Sequence, residues 1–124
     1  MAVEGFSVEV DGGPERVDAG LGPESAGATV VTVAGDVDLA AADTLWSVLD
    51  EYVRPGAAVV VDCSKVAFLD SMGLRTLIRA QQKADASGAR LTLAAPSEAV
   101  LRVLQLAGVA DLFVLDLSGS GSGS

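Results

Sequence analysis

Residues 57–78 read AAVVVDCSKVAFLDSMGLRTLI, and this stretch decides the fold class. It opens with a continuous apolar run, 57–61, which has the length of a strand that is covered on both faces. Leu74, Leu77 and Ile78 then recur at helical spacing. A buried strand that leads into an amphipathic helix is half of a βαβ unit, so the segment indicates an α/β fold.

The alternation of strands and helices extends to both sides of this segment. Periodicity predicts further strands over residues 6–10, 29–34, 91–94 and 113–115, and further helices over residues 42–53 and 96–107. The order β, β, α, β, α, β, α, β predicts a single domain, 1–117, with a mostly parallel or mixed central sheet of four to five strands. A loop separates the first two strands, which makes the first one a candidate for an antiparallel edge strand.

Two segments have the composition of flexible chain. Residues 11–28 are rich in glycine and proline, which predicts a mobile surface loop inside the domain. Residues 118–124 alternate serine and glycine, which predicts a flexible tail outside the domain.

Composition excludes several classes of function. The 124 residues carry a net charge of −9 and no histidine, so nucleic acid and anionic membrane surfaces are poor direct partners. No apolar run reaches the ~18 residues that cross a bilayer, so we expect no membrane insertion. One cysteine, Cys63, and no secretory signal at the start of the sequence lead us to expect a cytoplasmic protein. We expect no metal and no cofactor.

The junction before the second predicted helix is the most unusual part of the chain. Ser71 stands where a helix N-cap is expected, and its hydroxyl could simply accept from amides of the first turn. The presence of Gly73 needs a further explanation, because glycine in the first turn lowers the stability of a helix by ~1 kcal/mol relative to alanine. We interpret Gly73 as leaving the backbone open beside Ser71, where a protein or a phosphate could approach.

Two aspartates near the predicted helix starts have to be interpreted separately. Asp38 precedes the first helix and is a candidate N-cap, and Asp70 can fix its turn by accepting from backbone amides. A catalytic carboxylate pair is the rival interpretation, but no nucleophile, histidine or metal set accompanies the two residues. We therefore expect no enzyme.

Three basic residues, Arg75, Arg79 and Lys83, recur every four residues on the second helix. They are either a solvated face or a stripe that docks against an acidic partner, with Met72 and Leu74 supplying apolar contact.

Three further side chains are assigned to the interior of the fold rather than to a site. Trp46 and Phe68 are predicted to be core residues. Cys63 is predicted to be a small buried hydrophobe.

Four motifs in order make the sequence recognisable over residues 7–115. It resembles the bacterial STAS-domain family of anti-sigma factor antagonists. The motifs are GDVD at 35–38, VDCS at 61–64, DSMGL at 70–74 and LAGVADLF at 106–113.

The resemblance implies a regulatory switch. In that family the serine after the aspartate, here Ser71, is phosphorylated by an ATP-dependent kinase that is also the anti-sigma factor. The unphosphorylated antagonist binds this kinase and frees the sigma factor, and a metal-dependent serine phosphatase resets the cycle. The residues expected to bind the partner are Asp38, Asp70, Met72, Gly73, Leu74 and Arg75. Many members have a second hydroxyl where this chain has Met72, which leaves Ser71 as the hydroxyl of the turn.

Other functions are compatible with a STAS domain. The main alternative is a cytoplasmic scaffold subunit of a membrane transport complex. A stress-signalling assembly of many STAS copies is less expected, because no added sensory domain precedes the fold. A nucleotide-binding enzyme ranks last, because the sequence has no phosphate-binding loop of the Walker type.

Overall fold

A mixed six-stranded sheet forms the centre of the domain. The computed structural model describes residues 2–3, 5–12 and 28–117. The strands are β1 (Ala2–Val3), β2 (Phe6–Gly12), β3 (Thr29–Val37), β4 (Ala58–Leu69), β5 (Arg90–Ala94) and β6 (Val114–Asp116). They lie side by side in chain order; β1, β2 and β3 pair antiparallel, and β3 to β6 pair parallel.

Three helices connect the parallel strands. They are α1 (Leu39–Tyr52), α2 (Ser71–Ser87) and α3 (Glu98–Ala107), followed by a 3-10 turn at Ala110–Leu112. Each helix is capped at its start by a side chain, from Asp38, Asp70 and Ser97 respectively. Such caps stabilise a helix by about 1 kcal/mol each, because they satisfy amides that have no partner in the first turn.

These elements confirm the predicted α/β class and the mixed sheet. The first predicted strand is β2, which pairs antiparallel with β3 as expected, and the two-residue β1 lies outside it. Asp11 and Gly12 belong to β2 rather than to a loop. The rest of the predicted mobile loop, residues 13–27, and the predicted tail, 118–124, lie outside the described residues.

Strand β4 is longer than predicted and carries two bulges. Its twelve residues run through to Leu69, and extra residues interrupt its pairing with β3 between Asp62 and Lys65 and again between Val66 and Phe68. Each bulge shifts the inward-facing positions by one residue. Val66 and Leu69, three residues apart, are therefore both buried, and Phe68 faces out with half of its surface exposed. The prediction that Phe68 belongs to the core is wrong for this reason.

The last part of β4 has α3 beside it instead of a strand. Pairing with β5 ends at Asp62 and Ala94. The Ser97 amide just before α3 then donates to the Cys63 carbonyl at 3.2 Å. The second half of β4 therefore pairs with β3 on one side and lies against the start of α3 on the other.

One apolar core lies under the helices. It is built from alternating positions of the sheet together with the inward faces of the helices, and its fully buried members include Val31, Val61, Leu93, Leu45, Leu49 and Leu104. Each fully buried aliphatic side chain of this kind contributes about 1.5–3 kcal/mol relative to an exposed one. Trp46 is partly buried and packs against this core.

Cys63 is buried in the core, as predicted. Burial raises the pKa of its thiol from 9.0 to about 12, and the neighbouring Asp62 carboxylate adds to the rise. A thiol in this state is not a nucleophile near neutral pH.

The thiol makes stability depend on alkaline pH. The folded pKa is the higher one, so the unfolded chain loses the proton first and the free energy of unfolding falls as pH rises above about 9. Between pH ~7 and ~10 this group removes about 1 kcal/mol of stability. Urea denaturation at both pH values measures this effect. The free energy of unfolding should fall less between the two pH values in Cys63→Ala than in the wild type. An equal loss in the two proteins would contradict the assigned burial of the thiol.

Candidate functional site

The ends of β3 and β4 place two helix N-termini side by side. Val37 and Leu69 are the last paired residues of these parallel strands. Asp38 and Asp70 follow them directly, on strands that lie about 4.8 Å apart. The Asp70 amide continues the pairing by donating to the Val37 carbonyl at 3.1 Å.

Both aspartates cap a helix. The Asp38 carboxylate accepts from the Ala41 amide at 3.1 Å, and the Asp70 carboxylate accepts from the Gly73 amide at 2.9 Å. The positive ends of the two helix dipoles favour these negative charges. The described hydrogen bonds of the carboxylates are to backbone amides, so the geometry supports a capping role rather than an acid–base pair.

Ser71 is the first residue of α2 and not its cap. The prediction of an N-cap at Ser71 is wrong, because β4 continues to Leu69 and the extended Asp70 takes the cap position. Ser71 is exposed, and among the described residues its hydroxyl has no hydrogen-bond partner. Ser71 is therefore accessible to another protein, and no described hydrogen bond gives its hydroxyl a structural role.

Gly73 is needed for packing inside the domain. A Cβ at this position would lie 2.5 Å from the Val37 carbonyl oxygen and 2.7 Å from a methyl carbon of Leu69. The first turn of α2 therefore lies directly over the end of β3. The interpretation that Gly73 leaves the backbone open to a ligand is wrong, because its missing side chain makes room for β3. The next residue, Leu74, is also buried.

The basic stripe of α2 has mostly internal partners. The Arg79 guanidinium lies over the Trp46 ring, 4.0 Å from its centroid, and Lys83 forms an ion pair with Asp50. Both contacts join α2 to α1, and each contributes about 1 kcal/mol or less at exposed positions. Arg75 is exposed and has no ion pair within the described part of the chain.

An open groove of about 600 Å³ lies between α1 and α2, next to Ser71. The half-buried Met72 lines it together with Trp46, and Arg75 and Arg79 contribute its positive charges. Asp43 contributes one negative charge. The groove combines apolar surface with a cation that has no partner.

Sequence reasoning missed two exposed apolar side chains beside the serine. Leu39, the first residue of α1, is 65% exposed, and Phe68, two residues before Asp70, is 50% exposed. Each lies within two residues of a capping aspartate in the sequence, and exposed apolar side chains of this kind are typical of a protein-binding surface. The second bulge hid Phe68 from sequence reasoning, since alternation continued from the buried Val66 would turn Phe68 inward.

Two kinds of feature are absent from the described residues. None of their helices has the length and apolar character required to cross a membrane. They also contain no cluster of three or more histidine, cysteine, aspartate or glutamate side chains that could hold a metal ion.

Comparison with known proteins identifies the family. The family described as "Mlab, STAS domain" matches residues 23–119. The chain belongs to the STAS domain family. An anti-sigma factor antagonist from Mycobacterium paratuberculosis has a similar structure, with 28% identity, a TM-score of 0.71, and 93% of this chain and 88% of that chain covered.

More distant STAS structures share the fold. An anti-sigma-factor antagonist domain protein from Planctomyces limnophilus is 14% identical, with a TM-score of 0.66 and 88% of each chain covered. The phosphorylated form of SpoIIAA, a Bacillus cell fate determinant, is 17% identical, with a TM-score of 0.56 and 71% of this chain and 81% of that chain covered.

Gly73→Ala should destabilise the protein although alanine is the better helix former. The new methyl group overlaps the end of β3, and overpacking of this kind costs about 1–3 kcal/mol. Urea denaturation measures the loss, and Gln82→Ala, at an exposed position of the same helix, should change stability by less than about 0.5 kcal/mol. A Gly73→Ala protein as stable as the wild type would contradict the close packing of α2 on β3.

Proposed function

We propose that this STAS domain is an anti-sigma factor antagonist whose partner binding is switched off by phosphorylation of Ser71. The observation that carries the proposal is the exposed Ser71 hydroxyl, which has no hydrogen-bond partner among the described residues at the start of α2. The similar structure from Mycobacterium paratuberculosis, an anti-sigma factor antagonist, supports the same role. The protein acts by binding and not by catalysis, and it acts in the cytoplasm.

The partner is an anti-sigma factor serine kinase that uses ATP. The unphosphorylated antagonist binds it and frees the sigma factor, and a serine phosphatase removes the phosphate again. The kinase must reach the Ser71 hydroxyl to phosphorylate it, so the surface around this residue serves both as substrate and as binding site.

The residues expected at the interface divide into two groups. Met72 and Arg75 offer surface to a partner, as do the exposed Leu39 at the start of α1 and Phe68 near the end of β4. The half-buried Asp38 and Asp70 and the buried Gly73 and Leu74 position the serine. We assign the first group to contact and the second mainly to geometry.

Phosphorylation acts on the complex more than on the fold. A phosphate at the start of a helix meets the positive end of the dipole, so the domain tolerates it. In an interface the phosphate faces partner groups selected to fit a neutral hydroxyl. One added charge about 5 Å from a like charge costs ~3 kcal/mol at an effective dielectric near 20. This corresponds to about a hundredfold loss of affinity.

Phosphate transfer tests the acceptor directly. Incubation with ATP and the candidate anti-sigma factor kinases of the source organism should add one phosphate to the wild type, as measured by intact mass. Ser71→Ala should gain none. Ser64→Ala is the matched control at another exposed serine and should gain one phosphate. Phosphorylation of Ser71→Ala to the same extent as the wild type would contradict the assignment.

Loss of the exposed aromatic ring should weaken the complex without weakening the fold. We expect Phe68→Ala to bind the kinase that phosphorylates Ser71 at least tenfold more weakly, because a half-exposed ring beside the serine is buried on binding. Isothermal titration calorimetry measures the affinity. Leu106→Ala removes an apolar side chain that is 81% exposed, near the end of α3, and should bind like the wild type.

The same titration separates the proposal from a transport-complex scaffold. A scaffold holds its partner regardless of the phosphate, so equal affinity of the phosphorylated and unphosphorylated forms for their partner would favour the scaffold.

A further inference from the structure

Ser71 and Arg75 lie one turn apart on the same face of α2. Both are exposed, and their spacing of four residues corresponds to a rise of about 6 Å along the helix. Side chains on a helix lean toward its N-terminus, so the long side chain of Arg75 can reach the turn that contains Ser71.

Arg75 differs from the other basic residues of its stripe. Arg79 lies on the Trp46 ring, and Lys83 is paired with Asp50. Arg75 has no ion pair among the described residues, so its guanidinium is available to a new anion on its own helix. The guanidinium presents a planar fork of donors that matches a phosphate group with two parallel hydrogen bonds.

We propose that Arg75 is the internal ligand of the phosphate on Ser71, and that phosphorylation thereby withdraws this guanidinium from the groove between α1 and α2. The proposal rests on the proposed function, which supplies the phosphate. It adds the residue of this chain that binds that phosphate, Arg75.

The consequence is a second change at the same surface. Unphosphorylated, the groove offers a partner Arg75 beside the apolar Met72 and Trp46, a combination that fits an acidic segment with apolar side chains. Phosphorylated, the guanidinium is neutralised by the dianion on the adjacent turn. The partner therefore meets an added negative charge and also loses a positive one.

Carboxylates around the serine oppose the pairing. Asp38 and Asp43 belong to the start of α1, and Asp70 is the cap of α2. These charges raise the second pKa of a nearby phosphate, whereas Arg75 lowers it. Variants at Arg75 leave the three aspartates unchanged, so a comparison between such variants isolates the arginine.

The test measures the second pKa of the phosphate by ³¹P NMR in protein with phosphoserine genetically encoded at position 71. We expect this pKa, ordinarily near ~6, to be about half a unit lower in the parent phosphoprotein than in its Arg75→Gln variant. Arg75→Lys should lie between the two, because it keeps the charge and loses the fork. Arg90→Gln, at the opposite ends of the strands, makes the same change of net charge and should match the parent.

Equal pKa values in the parent and in Arg75→Gln would overturn the proposal, as would an equally large shift in Arg90→Gln. This outcome differs from a failure of the proposed function. The phosphoserine is installed without a kinase, so the NMR result does not depend on whether Ser71 is a natural acceptor. If the protein shows the pKa shift but no kinase phosphorylates it, the pairing of Arg75 with the phosphate would stand and the proposed function would be contradicted.

Discussion

The pairing of β3 with β4 to their last residues is the constraint on which the site depends. It sets Val37 beside Leu69, and it therefore sets the two capping aspartates and the starts of α1 and α2 beside each other. The first turn of α2 approaches the end of β3 so closely that residue 73 has no room for a side chain. A shift of one residue in this register would move Ser71 and exchange the buried and exposed positions of β4.

In the proposed switch, structural and regulatory tasks are divided between neighbouring residues at this point. Asp70 holds the helix start by accepting from Gly73, and the hydroxyl of the adjacent Ser71 has no hydrogen-bond partner in the described part of the chain. A cap that was also the phosphate acceptor would couple modification to helix stability, because each cap contributes about 1 kcal/mol. The separation allows the surface to change its charge while the fold keeps its caps.

The order of strands and helices was predictable from sequence because apolar periodicity directly reflects which faces are buried. The site was predictable only in part. Asp38 could be identified as a cap, but Asp and Ser are nearly equal as N-caps, so local preference could not decide between Asp70 and Ser71. The exposure of Phe68 depends on bulges in the pairing of two strands far apart in sequence. The reason for Gly73 likewise lies in β3, more than thirty residues earlier.

The most direct test of the central claim measures stability and affinity on the same pair of samples. Protein phosphorylated at Ser71 and unphosphorylated protein are compared by urea denaturation and by titration with the kinase. We expect the free energy of unfolding to change by less than about 1 kcal/mol while affinity falls about a hundredfold. A phosphorylated protein that unfolds far more easily, or that binds its kinase as tightly as before, would contradict it.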